Sequence, residues 1–179
     1  NNSIKAPKIS KQWKHTANSL KIIAKIIKQY PEKLFLIIHG NGPQVGNILL
    51  RSEYCAKHLP ILPLDICVAN SQGSMGYMLE QLNNDFSING IKKQITTILT
   101  RVSVNKKDPE FSSPSKFIGQ NYSKEEAQIK ANKNKWKIKF YKKNNFNNDI
   151  WRRVVPSPKP CKILDLDNII YNIRPNILP

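Results

Sequence analysis

The apolar run from Leu34 to Ile38, cut off by His39-Gly40-Asn41-Gly42-Pro43, constrains this chain more than any other stretch. Five apolar residues in succession predict a strand covered on both faces, as in a parallel sheet. Gly40 and Gly42 let the backbone turn sharply and let a ligand approach with no Cβ in the way. Asn41 fits an N-cap, and Pro43 suits the first helical position, where its missing N–H costs nothing. A strand feeding such a turn aims several backbone N–H groups and a helix dipole at one spot, which suits a phosphate or carboxylate. Many such turns bind nothing, and these residues match neither the P-loop nor the dinucleotide fingerprint. The rest of the chain has to decide.

At 179 residues the chain can build one substantial core with an appended flap. The net charge of +17 first brings nucleic acid to mind. Among the 29 basic residues, however, only Arg51, Arg101, Arg152, Arg153 and Arg174 are arginine. Lysine, asparagine and isoleucine enriched together read as compositional bias, so most of this charge is expected to be solvated surface. Cys55, Cys67 and Cys161 are odd in number and form no C-x-x-C pair, which fits reduced thiols in a cytoplasmic protein better than a disulfide framework or a zinc site. No secretory signal is visible, and no apolar run approaches the ~18 residues of a membrane span. With Asn1 first and Met75 and Met78 the only methionines, the expectation is a processed N-terminus or a piece of a longer chain.

From Ser10 to Tyr30, Trp13, Leu20, Ile23, Ala24 and Ile27 recur at helical spacing, and Pro31 ends the pattern. Helix, buried strand and helix in succession predict an α/β layered fold. Gln44 to Lys57 reads as a helix. Asp65 is expected to cap the next one, which runs through Cys67 and Leu82 to a stop at Gly90. Within it, Ser71-Gln72-Gly73-Ser74-Met75-Gly76 is soft for a helix, so either a tight packing contact or a ligand approaches there. Ile91 to Val104 alternates like a half-buried strand. Asn105 to Lys116 breaks regular structure, Ser123-Lys124-Glu125-Glu126 is a capping box, and Lys130 to Lys143 interleaves lysines with Trp136, Phe140 and Tyr141. Trp151 to Val155 returns as a strand, Ser157-Pro158-Lys159-Pro160 is a rigid loop, and Asp167 opens a last helix near Ile169 to Ile173.

Laid out this way, the chain resembles carbamate kinase, within the amino-acid-kinase family. The residues that carry the resemblance are His39-Gly40-Asn41-Gly42-Pro43-Gln44-Val45-Gly46-Asn47, Leu62-Pro63-Leu64-Asp65-Ile66-Cys67 and Ser71-Gln72-Gly73-Ser74-Met75-Gly76-Tyr77. Gly90-Ile91-Lys92-Lys93-Gln94, Asp108-Pro109 and Pro114-Ser115-Lys116-Phe117-Ile118-Gly119 follow in family order, then Trp151-Arg152-Arg153-Val154-Val155-Pro156-Ser157-Pro158-Lys159-Pro160. Acetylglutamate kinase and aspartokinase look similar only around the glycine turn.

The resemblance implies a three-layer α/β/α N-terminal domain with a small protruding subdomain. The divisions expected from it are a carbamate-side domain over 1–104, the flap over 105–150, and a return to the main domain over 151–179. It implies reversible phosphoryl transfer between ATP and carbamate, which in arginine fermentation forms ATP from carbamoyl phosphate and ADP. Gly40, Asn41 and Gly42 would hold the substrate, Lys116 would be the catalytic lysine reaching in from the flap, and Gln72 and Gly73 would face the same cleft. ATP or ADP and Mg²⁺ are implied with their binding half absent here, together with a homodimer in the full-length parent. The chain departs from the family at both ends: it begins after the family's first strand and its Gly-Gly-Asn loop, and Tyr171 to Pro179 diverges. The fragment is therefore expected to be inactive alone. The alternatives are a non-catalytic remnant or interaction module and, further off, a basic RNA-binding protein using Lys130 to Lys143 to clasp and stack on a single strand.

Overall fold

The computed structural model describes residues 9–81, 83–88 and 90–173. Leu82, expected inside the second long helix, and the divergent tail from Arg174 to Pro179 lie outside the described residues, as does Asn1. Helix α1 (Ile9–Gln29) follows the amphipathic pattern and buries Leu20 and Ile27. The edge of Trp13 meets the ring of Tyr77 at 6.3 Å between centroids, which lays α1 against the third helix.

Helix α2 (Gly42–Tyr54) springs from the glycine turn with Pro43 in its first turn, as the sequence predicts. It stops short of Lys57, because from Cys55 the chain tightens into turns in which Leu59 N–H donates to Cys55 O at 2.9 Å. Helix α3 (Leu64–Glu80) is capped by Pro63 rather than by Asp65. Pro63 sits in extended backbone at φ −58°, ψ 152°, so the helix starts at once after it and leaves Asp65 inside the first turn, where a carboxylate still faces the positive dipole end. A separate short helix, α4 (Asn83–Ile88), follows. Gly90, at φ +72°, ends it: Gly90 N–H donates to Ser87 O at 2.9 Å and Ile91 N–H to Phe86 O at 2.8 Å.

The two expected body strands take an unusual form. Residues 34–40 join no ladder among the described residues, and only Phe35 and Ile37 are half-buried. Leu34, Leu36 and Ile38 are exposed, so the expected coverage of both faces is corrected to one face. Residues 91–100 keep the alternation, with Ile91, Lys93, Ile95 and Thr97 inward and Lys92, Gln94 and Thr96 outward, yet they too join no ladder. Side chains from α3 and α4 take the place of a neighbouring strand. Gln72 both donates to Thr100 O (3.2 Å) and accepts from Thr100 N–H (2.8 Å). Asn83 does the same with Ile95 (3.2 and 2.6 Å), and Glu80 accepts from Thr97 N–H at 2.7 Å. Gly76 faces Thr97 so closely that a Cβ there would lie 2.6 Å from Thr97 Oγ1. The softness of the Ser71–Gly76 stretch is thus accounted for at Gly76 by a packing contact.

The ladder of that region begins only at β1 (Val102–Val104), antiparallel to β5 (Pro160–Ile163). Beside this junction the Asp165 carboxylate takes the Arg101 guanidinium at 2.8 Å and its backbone N–H at 2.7 Å, which holds the acid below the usual carboxylate range. Helix α6 (Leu166–Ile173) follows with Asp167 in its first turn.

The excursion between β1 and β5 is a three-stranded antiparallel sheet in the order β2 (Lys116–Tyr122), β4 (Asp149–Val155), β3 (Lys137–Lys143). Helix α5 (Lys124–Asn134) packs on it through Ala127 and Ala131, and Ser123 and Glu126 form the capping box read from the sequence. The segment expected as the return therefore begins as the central strand of the flap sheet. One apolar cluster, Val45, Leu49, Cys67, Ile118 and Val155, joins α2 and α3 to β2 and β4, fixing the flap against the glycine turn.

Candidate functional site

A cleft of about 480 Å³ opens where the flap meets the start of α2. Asn41 and Gly42 form its body side; Lys116, Phe117, Gly119 and Arg152 form its flap side. Two residues far apart in sequence, Asn41 and Lys116, are thereby brought to one concavity. The helix start gives it unsatisfied N–H groups and a positive dipole end, and no Asp or Glu lines it. Its charges favour an anion over a cation.

Each wall is held by identifiable contacts. Asn41 occupies the N-cap position of α2, but its side chain makes no capping bond. Its Nδ2 instead donates to Ser71 Oγ at 2.7 Å, and Ser71, fully buried, donates to Val68 O at 2.6 Å. The glycine turn is thus tied to α3 through a buried hydroxyl, and the Gln44 N–H, the one donor that Pro43 leaves for a capping side chain, is not taken by Asn41. Gly40 is exposed and is not part of the cleft wall, while Gly42 is.

Lys116 is the first residue of β2, opposite Val155. The loop that delivers it is clamped by Glu110, whose Oε2 accepts from Ser115 N–H and from Ser157 N–H, both at 3.0 Å. Hydrogen bonding to Ser115 leads the causes that hold Glu110 below the ordinary carboxylate value. Asp108 braces the same loop, accepting from Glu110 N–H and Lys159 N–H. Lys116 itself is exposed and meets no acceptor among the described residues. The backbone beneath it is fixed and the ammonium is free to move, as a group following a transferred charge requires.

Gln72 and Gly73 lie elsewhere. The Gln72 amide is committed at both ends to Thr100, Gly73 has open space around it, and neither lines the cleft. The residue that sequence reasoning missed is Arg152, whose Nη2 donates to Gly119 O at 2.8 Å. Gly119 adopts φ +74° beside a register shift in β2, a conformation open to glycine, and this turns its carbonyl toward the arginine. The one available signal was the Arg152-Arg153 pair on a strand, where neighbours point to opposite faces.

In and beside the lysine-aromatic stretch, several rings already carry a cation of the chain on one face. Lys130 lies over Tyr122 at 5.3 Å, Arg152 over Tyr141 at 4.8 Å and Arg153 over Trp136 at 4.6 Å. The faces so covered are not free platforms for bases. Among the described residues no helix is long and apolar enough to cross a membrane.

No family model matches the sequence. Curated relatives do. A carbamate kinase of Staphylococcus epidermidis is 43% identical over 162 residues, 87% of this chain and 48% of the relative. Carbamate kinase 2 of Enterococcus faecalis is 39% identical over 87% of this chain and 49% of its own length. The chain belongs to the carbamate kinase family. It spans about half the length of the curated relatives it matches. The solved carbamate kinase of Giardia lamblia bound to citric acid superposes with a TM-score of 0.76 at 31% identity, covering 97% of this chain and 54% of that one. The same enzyme bound to AMP-PNP gives 0.70 at 30% identity over the same share of this chain. The α/β carbamate kinase fold with its protruding flap, expected from the motifs, is the fold of this chain.

Proposed function

We propose that these 179 residues are the carbamate-side part of a carbamate kinase, holding carbamate or carbamoyl phosphate between the Asn41–Gly42 turn and Lys116. The observation that carries this is the convergence of a carboxylate-free helix start and an unpaired lysine on one cleft. In the reaction, the P–O bond to the carbamate oxygen breaks as a terminal oxygen of ADP bonds to phosphorus. Carbamate leaves as the anion and ATP forms; the reverse direction uses the same contacts. Little covalent chemistry falls to the protein, so positioning and charge stabilisation dominate. The turn amides of Asn41 and Gly42 hold the anion in place, and Lys116 follows the charge as it moves.

The family implies ATP or ADP and Mg²⁺. The residues here do not fit a divalent cation: no Asp or Glu lines the cleft, and no group of three or more His, Cys, Asp and Glu comes together among the described residues. No step is assigned to the metal in this part of the molecule. The nucleotide is assigned to the part of the relatives' length that this chain does not span. The citrate-bound Giardia enzyme is consistent with an anion site in this fold. We assign the parent a cytoplasmic location and a homodimeric state, with 1–104 as the body and with the flap extended from 105 through the end of its central strand at 155, so that 156–179 is the return.

The test is calorimetric titration of carbamoyl phosphate into the purified chain, with ATP formation from ADP assayed alongside. Binding without turnover is expected. Lys116→Gln should weaken binding about tenfold, the scale of one charge-assisted hydrogen bond. Unchanged affinity in that variant, or turnover by the isolated chain, would overturn the assignment.

A further inference from the structure

Strand β4 carries two successive arginines, and their surroundings are opposite in kind. Arg153 Nη1 lies 2.7 Å from Glu53 Oε1, with both side chains largely buried, and its guanidinium stacks on Trp136. Burial pushes the Glu53 carboxyl up while Arg153 draws it down, as in an ion pair enclosed by protein. Arg153 is a neutralised, structural cation that ties α2 to the flap.

Arg152 lines the cleft beside Lys116 and has no carboxylate partner among the described residues. Its guanidinium is nevertheless fixed. One face lies 4.8 Å over Tyr141, Nη2 is held by Gly119 O, and Tyr141 is braced in turn by Phe117, another cleft residue, at 5.0 Å between centroids. Its Nε is buried and finds no acceptor. A permanently charged group held in one orientation at the wall of a carboxylate-free cleft, with no counter-ion, is stabilised by an anion bound in that cleft. Arg153 has a carboxylate partner within the chain, whereas Arg152 has only the Gly119 carbonyl and the Tyr141 face.

We propose that Arg152 is the fixed anion-binding arm of the cleft, contacting the oxyanion of carbamoyl phosphate through its planar fork while Lys116 supplies the movable charge. This rests on the function proposed above. It assigns a division of labour: the arginine sets where the anion sits, and the lysine responds as charge shifts.

The experiment is an NMR titration of the isotope-labelled chain with carbamoyl phosphate, and separately with inorganic phosphate. It follows the Arg152 Nε–H resonance, assigned by its loss in Arg152→Lys, together with the amides of Asn41 and Gly42. The expected result is a saturable shift of the Nε–H signal in step with the turn amides. Arg152→Lys, which keeps the charge and loses the fork, should weaken carbamoyl phosphate about tenfold, and Arg51→Gln, outside the cleft, should leave it unchanged. Turn amides that shift while the Nε–H signal stays still would remove Arg152 from the site and leave the function standing. Silence from both would overturn both. Equal shifts and affinity with inorganic phosphate would locate the recognised group in the phosphoryl oxyanion; a response to carbamoyl phosphate alone would extend it to the carbamoyl end.

Discussion

The flap and the body each contain extended chain, yet in the two regions its backbone is satisfied by different means. In the flap, β4 pairs with β2 on one side and β3 on the other, and α5 covers the sheet with Ala127 and Ala131. In the body, residues 91–100 are held by Gln72, Glu80 and Asn83, and residues 34–40 make no main-chain bond among the described residues. The flap is closed by its own neighbours in sequence. The body offers an edge whose N–H and C=O groups stay open to water or to another strand. The cleft sits on the boundary between these two regimes, with its mobile cation on the closed side and its glycine turn at the end of the open segment.

The largest effect should come from the cluster that bridges them. Leu49, only 3% exposed, packs with Val45, Cys67, Ile118 and Val155, which belong to both regions. Leu49→Ala should cost about 2–5 kcal/mol in urea unfolding and should lower the stability of flap and body together. A flap that keeps its midpoint while the body melts earlier would show that the two regions unfold independently, and the comparison would then describe two units rather than one.

Smaller, and confined to the body, is the contact of α3 with the extended segment. A Cβ on Gly76 would lie 2.6 Å from Thr97 Oγ1 and 2.9 Å from Thr97 Cβ. Gly76→Ala should therefore cost about 1–3 kcal/mol by overpacking, despite alanine's better helix propensity. Adding Thr97→Gly, which removes the clashing side chain, should recover part of the loss. A stabilised Gly76→Ala chain would mean that 91–100 is not docked on α3 at all.

What the sequence made legible follows the same boundary. Short-range devices could be read from the letters: Pro43 after the glycine turn, the Ser123–Glu126 capping box, the stop at Gly90. Each is decided within four or five residues. Contacts reaching across the chain could not be read. Asn41 has the right type and position for an N-cap, and only the proximity of Ser71 turns its amide away. Gln72 sits in a motif that reads as functional, and Thr100 claims both ends of its side chain. Arg152 and Arg153 are the same letter twice; Glu53 separates their roles, and it lies on another element. The apolar run at 34–38 predicts a strand covered on both faces, but coverage is a property of neighbours; here the segment joins no ladder among the described residues and one face is bare.

The smallest expected effect is the sharpest test of that last point. Ile38 is 85% exposed, so Ile38→Ser should change stability by no more than about 0.5 kcal/mol, although an isoleucine in a buried strand would cost several times that. In native-state hydrogen exchange, the amides of 34–40 should exchange at the fastest rates in the molecule, while those of β4, bonded on both sides, exchange at the rate of global unfolding. Both results follow from one cause, an extended segment without a ladder partner. A large loss on Ile38→Ser together with slow exchange at 34–40 would require a strand lying against this edge in solution. A second copy of the chain is the first candidate, and dilution distinguishes it: protection that fades as protein concentration falls comes from another molecule, whereas protection independent of concentration comes from the chain itself.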